Sequence, residues 1–172
     1  KKRELACYTY SMKGWALGVF AVVITSGIFV ASNAQAATLY MDPTETHGYR
    51  ADTVTVNVRI DTDEGECVNT VDAVIEYGPA VSAVDVSTGD SIISLWVETP
   101  VIDQAAHTIR FAGGIPNGYC GRIPGDPRLT NTIAKLVFQV PGFAVGGGDT
   151  KEAEVRFAPE TRVLLNDGEG TE

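Results

Sequence analysis

The chain has 172 residues, 44% of them hydrophobic, with 13 basic against 22 acidic side chains and three cysteines. Four of the basic residues and one acidic residue precede Ala37, so positions 37–172 carry 9 against 21, a net charge of −12. So acidic a surface repels phosphate backbones and anionic headgroups, which excludes nucleic acid and leaves the membrane only through an anchoring segment.

Residues 1–36 read as a signal peptide. Lys13 precedes an apolar run over 15–31, "WALGVFAVVITSGIFVA", and "SNAQAA" comes next with the small-x-small pattern Ala34-Gln35-Ala36. A charged start, an apolar middle and a small-residue exit form the pattern of an export signal. Cleavage is expected after Ala36. Met12-Lys13 would make an ordinary signal-peptide start, so residues 1–11 read as upstream translation outside the signal proper, which removes Cys7 from consideration. The remaining stretch, 37–172, is long enough for one domain with its own core.

From residue 37 onward the hydrophobic pattern alternates with period two. In "TVTVNVRID" (53–61), Val54, Val56, Val58 and Ile60 face one way and threonine, asparagine, arginine and aspartate the other. In "TVDAVIEY" (70–77), Val71, Ala73, Ile75 and Tyr77 point inward, with Thr70, Asp72, Val74 and Glu76 outward. Such alternation is that of a half-buried strand. Further strands are expected at 38–41, 81–86, 92–98, 108–112, 132–140, 153–157 and 162–166. Turn residues separate them: Gly78-Pro79, Gly89-Asp90, Pro100, Pro141-Gly142, Gly146–Gly148 and Pro159. No segment after residue 37 holds helical periodicity. Nine short strands predict an all-β, two-sheet jelly-roll sandwich.

The stretch 112–127, "AGGIPNGYCGRIPGDP", is dense in turn residues. No helix is expected after the glycines and no lysine lies between Lys13 and Lys135, so it is not a phosphate cradle. A single cysteine without a spaced partner or nearby histidine cannot complete a zinc site. In an exported domain the pair Cys67 and Cys120 is most simply a disulfide, which makes the stretch a stapled irregular loop. Closing 54 residues in this way is worth about 4 kcal/mol in the chain-entropy model.

Catalytic readings find little support. His47 and His107 are the two histidines, and Ser82, Ser87, Ser91 and Ser94 the serines after Ala37. None sits in a Gly-x-Ser-x-Gly elbow. The cluster "DTDEGE" (61–66) has glycine at its fifth place, where an EF-hand loop requires a ligand, and reads as a solvated acidic turn. No metal, cofactor or catalytic residue is expected.

The stretch "VNTVDAVIEYGPAVSAVDVSTGDSI" (68–92) resembles the cohesin family, in which a strand of the type Asp-x-x-x-x-Tyr-Asp-Pro leads to a short apolar strand and a Gly-Asp turn. Asp72, Tyr77 and Pro79 match, and Gly78 stands where cohesins often carry aspartate. "HTIRFAGG" (107–114) looks like the sixth strand of the family, "LTNTIAKLVFQV" (129–140) like the seventh, and "VRFAPETRVLLNDGEG" (155–170) like the closing pair. The resemblance implies a nine-stranded jelly roll related to certain cellulose-binding modules. It also implies a non-catalytic module that docks a dockerin-like protein partner at the cell surface or in a secreted assembly.

In the family, the sheet of strands eight, three, six and five carries the partner. Mapped onto this chain, the resemblance implies a binding face of Thr70, Asp72 and Glu76 (strand three), Arg110 (strand six), Ser94 and Trp96 (strand five), and Glu154 and Arg156 (strand eight). Asp72 matches the aspartate that hydrogen-bonds the partner, and Thr70 stands where an asparagine is common. The alternative is a carbohydrate-binding module of the related fold, with a polysaccharide as partner. Tyr77, Phe111, Phe138 and Phe157 fall on inward positions, so no flat aromatic strip for a sugar surface is expected. A structural envelope component is a third reading.

Overall fold

The computed structural model describes residues 37–122, 130–142 and 152–172. The expected signal segment, the 123–127 end of the Gly/Pro-rich stretch and the Gly146–Gly148 turn lie outside them. Among the described residues nine strands are found: β1 (Ala37–Asp42), β2 (Thr53–Thr62), β3 (Val68–Tyr77), β4 (Ser82–Ser87), β5 (Leu95–Asp103), β6 (Thr108–Tyr119), β7 (Thr132–Gln139), β8 (Val155–Phe157) and β9 (Arg162–Leu165). They form two sheets, ordered β1-β2-β7-β4 and β5-β6-β3-β8, with β9 also paired to β3. Every pairing is antiparallel. The architecture is the jelly-roll sandwich that the alternation predicts.

The inward positions of both sheets make one core. Val58 and Ile60 of β2, Val71, Ala73 and Ile75 of β3, and Phe111 of β6 are fully buried, facing Ile133 and Leu136 of β7. Tyr77 and Phe138 meet edge to face with ring centroids 5.5 Å apart. Burial pushes the Tyr77 phenol above its usual pKa, with the Asp103 charge adding to the rise and a hydrogen bond to the Ala83 backbone opposing it.

Three parts of the chain depart from the sequence expectation. β6 does not stop at residue 112. It runs on through Gly113, Gly114 and Pro116 to Tyr119, with Gly114 opposite Thr70 and Tyr119 opposite Val68. Gly113 faces inward, where an added Cβ would lie 2.4 Å from the Cγ2 of Ile93 and 2.9 Å from the Leu95 carbonyl oxygen. It is a packing glycine within a strand, so turn composition was the wrong guide there. Tyr119, expected in a loop, is buried, and burial raises its phenol pKa.

Pro100, expected as a turn, lies inside β5. β5 is an edge strand with register shifts at Trp96/Glu98 and Glu98/Val101, and an edge bulge tolerates the missing N–H of proline. Finally, β8 and β9 share one edge of β3: β8 pairs with Ile75–Tyr77 and β9 with Val68–Asp72. In the gap between them the backbone of Val74 is satisfied by a turn. Its N–H donates to the Thr161 hydroxyl (3.1 Å), and its carbonyl accepts from that hydroxyl (2.9 Å) and from the Ala158 N–H (2.8 Å).

Cys67 and Cys120 are joined, with Cα atoms 4.1 Å apart. The bond continues the β3–β6 ladder one step past the pair Val68–Tyr119. Cys67 also accepts from the N–H of Asn166 at 2.8 Å, which ties the end of β9 to the same corner. The expected staple is present, holding two strand ends rather than a free loop.

Candidate binding face

The outward positions of β5, β6, β3, β8 and β9 can be read from register, because residues directly opposite in an antiparallel pair share a face. Thr70 faces Gly114 and Leu164, Asp72 faces Ala112 and Arg162, and Glu76 faces Thr108 and Arg156. Across β6, Gly114 faces Leu95, Ala112 faces Glu98, and Arg110 faces Val101.

Two cross-strand ion pairs stand at the β3 side. Arg156 places Nη2 at 2.8 Å and Nε at 2.9 Å from Glu76 Oε2. That hydrogen bond, together with the charge of Glu76, raises the Arg156 pKa above its usual value. Arg162 Nη2 lies 3.5 Å from Asp72 Oδ2. All four side chains are substantially exposed, so water screens both pairs and each adds little to stability. Their charges stay available. Arg110 is exposed between them and β5.

The β5 side is apolar. Leu95, Val97 and Val101 are 59%, 80% and 51% exposed, three of the five large hydrophobic side chains found exposed among the described residues. Small residues, Ala112 and Gly114, lie between this strip and the charged pairs. A surface that is apolar along one edge, low in the middle and ringed by charge can accept an amphipathic element of another protein, with the charges setting orientation.

Trp96 does not belong to this face. It sits opposite Gly113 on the inward side, packs against the core, and meets Phe111 edge to face at 6.1 Å. The absent side chain of Gly113 leaves room for Ile93 and for the close approach of the β5 backbone at Leu95 and Trp96. Counting outward from Ser94 through Trp96 assumed unbroken alternation. In fact β5 begins at Leu95, and the bulge after Trp96 inserts Val97 before Glu98 takes the outward position opposite Ala112. Ser94 is exposed just ahead of the strand, where its N–H donates to the Gly114 carbonyl at 3.2 Å. Glu154, exposed, precedes β8, and its carbonyl accepts from the Gly78 N–H at 2.8 Å. The structure therefore brings Thr70, Asp72, Glu76, Arg110 and Arg156 together on one face, sets Ser94 and Glu154 just beyond strand ends, and removes Trp96. Sequence reading missed Leu95, Val97, Val101 and Arg162. The odd hydrophobic spacing of "LWVETPV" around Pro100 was the available signal.

The acidic cluster at 61–66 is a turn closed by the Glu66 N–H on the Asp63 carbonyl, and Asp61 is engaged by Arg122 (3.6 Å) and Asn131 (3.0 Å). Among the described residues no three carboxylate, histidine or cysteine side chains converge as a metal site would require.

The strand order β5-β6-β3-β8, set against a second sheet β1-β2-β7-β4, is a cohesin-like jelly roll. Two solved structures share it. The sixth cohesin of scaffoldin B from Acetivibrio cellulolyticus, crystallised in complex with a mutant Cel5 dockerin, aligns over 76% of this chain and 86% of its own with a TM-score of 0.56 and 14% identity. A type III cohesin module from the cell-surface anchoring scaffoldin ScaE of Ruminococcus flavefaciens aligns over 84% and 82%, with a TM-score of 0.55 and 17% identity. At these identities the likeness is one of fold. No family model and no curated protein matches the chain.

Proposed function

We propose that this chain is a non-catalytic docking module of cohesin type, binding a dockerin-like protein through the outward face of β5, β6, β3, β8 and β9. The observation that carries the reading is the exposed strip Leu95, Val97 and Val101 beside the pairs Asp72–Arg162 and Glu76–Arg156. Large apolar side chains left in water on one strand, rimmed by charge, are the composition of a protein interface rather than of an ordinary solvated sheet. Two structural neighbours are cohesins, and one was crystallised on a dockerin. Thr70 and Asp72 lie at the low centre of the face, where a partner side chain could reach both. The module acts outside the cytoplasm, exported by the segment 1–36 and cleaved after Ala36. The disulfide suits that compartment.

A panel of dockerin modules, screened against the purified protein by calorimetry, tests the reading. Binding by at least one, weakened about tenfold or more by Asp72→Ala, about 1.4 kcal/mol, is expected. Binding that ignores substitutions on this face would reject it.

A further inference from the structure

The other sheet carries a different kind of surface. A groove of about 740 Å³ opens on its outward side, lined by Thr55, Asn57 and Arg59 of β2, Thr132 and Lys135 of β7, and Asp90 after β4. That volume is within the range of small-ligand sites. Register places these groups on one face, with Asn57 opposite Lys135 and Arg59 opposite Thr132. Strand geometry then spaces them about 4.8 Å apart across the strands and about 6.6 Å along them, a grid of hydrogen-bonding groups.

Arg59 is the fixed point of the grid. It is 6% exposed. Its Nε donates to Asp42 Oδ2 at 2.8 Å, and its Nη1 to Asn131 Oδ1 and Thr132 Oγ1 at 3.1 Å each. Asn131, fully buried, is itself locked by donating to the Tyr40 hydroxyl (2.8 Å) and Asp61 Oδ1 (3.0 Å). None of these bonds uses Arg59 Nη2, which leaves two N–H donors on a rigid guanidinium. Asn57 spends its Nδ2 on the Asp42 carbonyl, leaving Oδ1 as an acceptor. The groove therefore offers a donor at Arg59 and an acceptor at Asn57 that are already held in place, so a ligand that uses these two meets little side-chain entropy cost.

Charge narrows the ligand. Arg59 is balanced by Asp42, and Lys135 has Asp90 at 4.0 Å, so the groove is close to neutral. An acidic polymer would gain nothing there and would be repelled by the remainder of a chain this rich in carboxylates. The core takes Tyr77, Phe111 and Phe138, leaving half-buried Tyr40, opposite Arg59, as the aromatic beside the groove. That arrangement suits a single hydrated chain and not a flat crystalline surface. We propose that this groove is a second ligand site, independent of the docking face, that binds a neutral, hydroxyl-rich saccharide chain.

Affinity electrophoresis of the full protein in gels containing xyloglucan, mixed-linkage β-glucan, glucomannan or arabinoxylan tests this, with polygalacturonate as the acidic comparison. Retardation by at least one neutral glycan is expected. Asn57→Ala and Lys135→Ala should each weaken it about tenfold or more. Val97→Asp, on the opposite sheet, should leave it unchanged, which separates this site from the docking face. Melting temperature should stay at the parent value for Lys135→Ala and fall only slightly for Asn57→Ala, which gives up its one hydrogen bond to the Asp42 carbonyl, showing that the loss is of binding. No retardation by any neutral glycan, retardation that survives both groove substitutions, or preference for polygalacturonate would each overturn the proposal.

Discussion

The two outward sheet faces are built from the same alternating strands, yet they hold themselves in opposite ways. On β1-β2-β7-β4 the side chains do the fixing: Asp42, Arg59, Asn131, Thr132, Tyr40 and Asp61 form one continuous set of hydrogen bonds, with Arg59 and Asn131 buried. On β5-β6-β3-β8 the fixing comes from the strand ends and from behind: the Cys67–Cys120 bond, the Thr161 hydroxyl on the Val74 backbone, and the close packing of Ile93 and the Leu95 carbonyl over Gly113. A sheet held from behind in this way can leave leucine and valine side chains in water and carboxylate–arginine pairs exposed on its front. That difference is why the docking reading is assigned to the second sheet and the small-ligand reading to the first.

The largest effect should come from the staple. Cys67→Ser with Cys120→Ser is expected to cost about 4 kcal/mol in denaturant unfolding, by releasing a long loop in the unfolded chain. A loss well under 1 kcal/mol would mean that the corner is held by the ladder alone. Next is Arg59→Met, which strands the buried Asn131 Oδ1 and should cost about 2–3 kcal/mol. Arg162→Ala on the other face removes an exposed pair and should cost at most about 1 kcal/mol. Equal costs for the two arginines would erase the contrast between the faces.

Gly113→Ala sharpens it further. The added methyl group meets the Leu95 carbonyl as well as a movable Ile93 side chain, and overpacking of this kind should cost about 1–3 kcal/mol and disturb Trp96 fluorescence. The smallest effect is at the exposed turn after β9. Hydrogen bonds from the Thr171 hydroxyl, then from the Glu169 N–H, hold the Asp167 carboxyl below its ordinary 3.8. A lowered folded pKa stabilises above the unfolded value, and the contribution is lost as pH falls through the folded one. Thermal unfolding of Asp167→Asn should therefore lose less stability on acidification than the parent protein does.

Much of the fold was legible in the residues alone. Period-two alternation located all nine strands, and the inward sets of β2 and β3 emerged as read, because both strands bury one face along most of their length. The disulfide could be inferred from cysteine count and compartment. The failures have separate causes. Alternation is a local rule, and bulges break it. At β5 the sequence phase is one residue off, so Leu95 and not Trp96 is outward, and the register shifts beyond Trp96 leave Val97 and Glu98 both exposed, with nothing in "SLWVETPV" to mark where the extra residue sits. At β6, glycine and proline signalled a turn, whereas the strand runs on through them and Gly113 packs closely against Ile93 and β5. Arg59 was placed with the solvated side of β2 and lies buried there, since its partners Asn131 and Thr132 come from 72 and 73 residues away.

The central claim is that the β5-β6-β3-β8 face is the docking surface. Its most direct test is calorimetric titration of a dockerin panel into the parent protein, Val97→Asp and Asn57→Ala. Val97 is 80% exposed, so a charge there leaves the fold intact while spoiling the apolar strip. The expected result is that a dockerin binds the parent and Asn57→Ala alike, and binds Val97→Asp about tenfold or more weakly. Unchanged affinity for Val97→Asp, or no binding by any dockerin in the panel, would contradict the account.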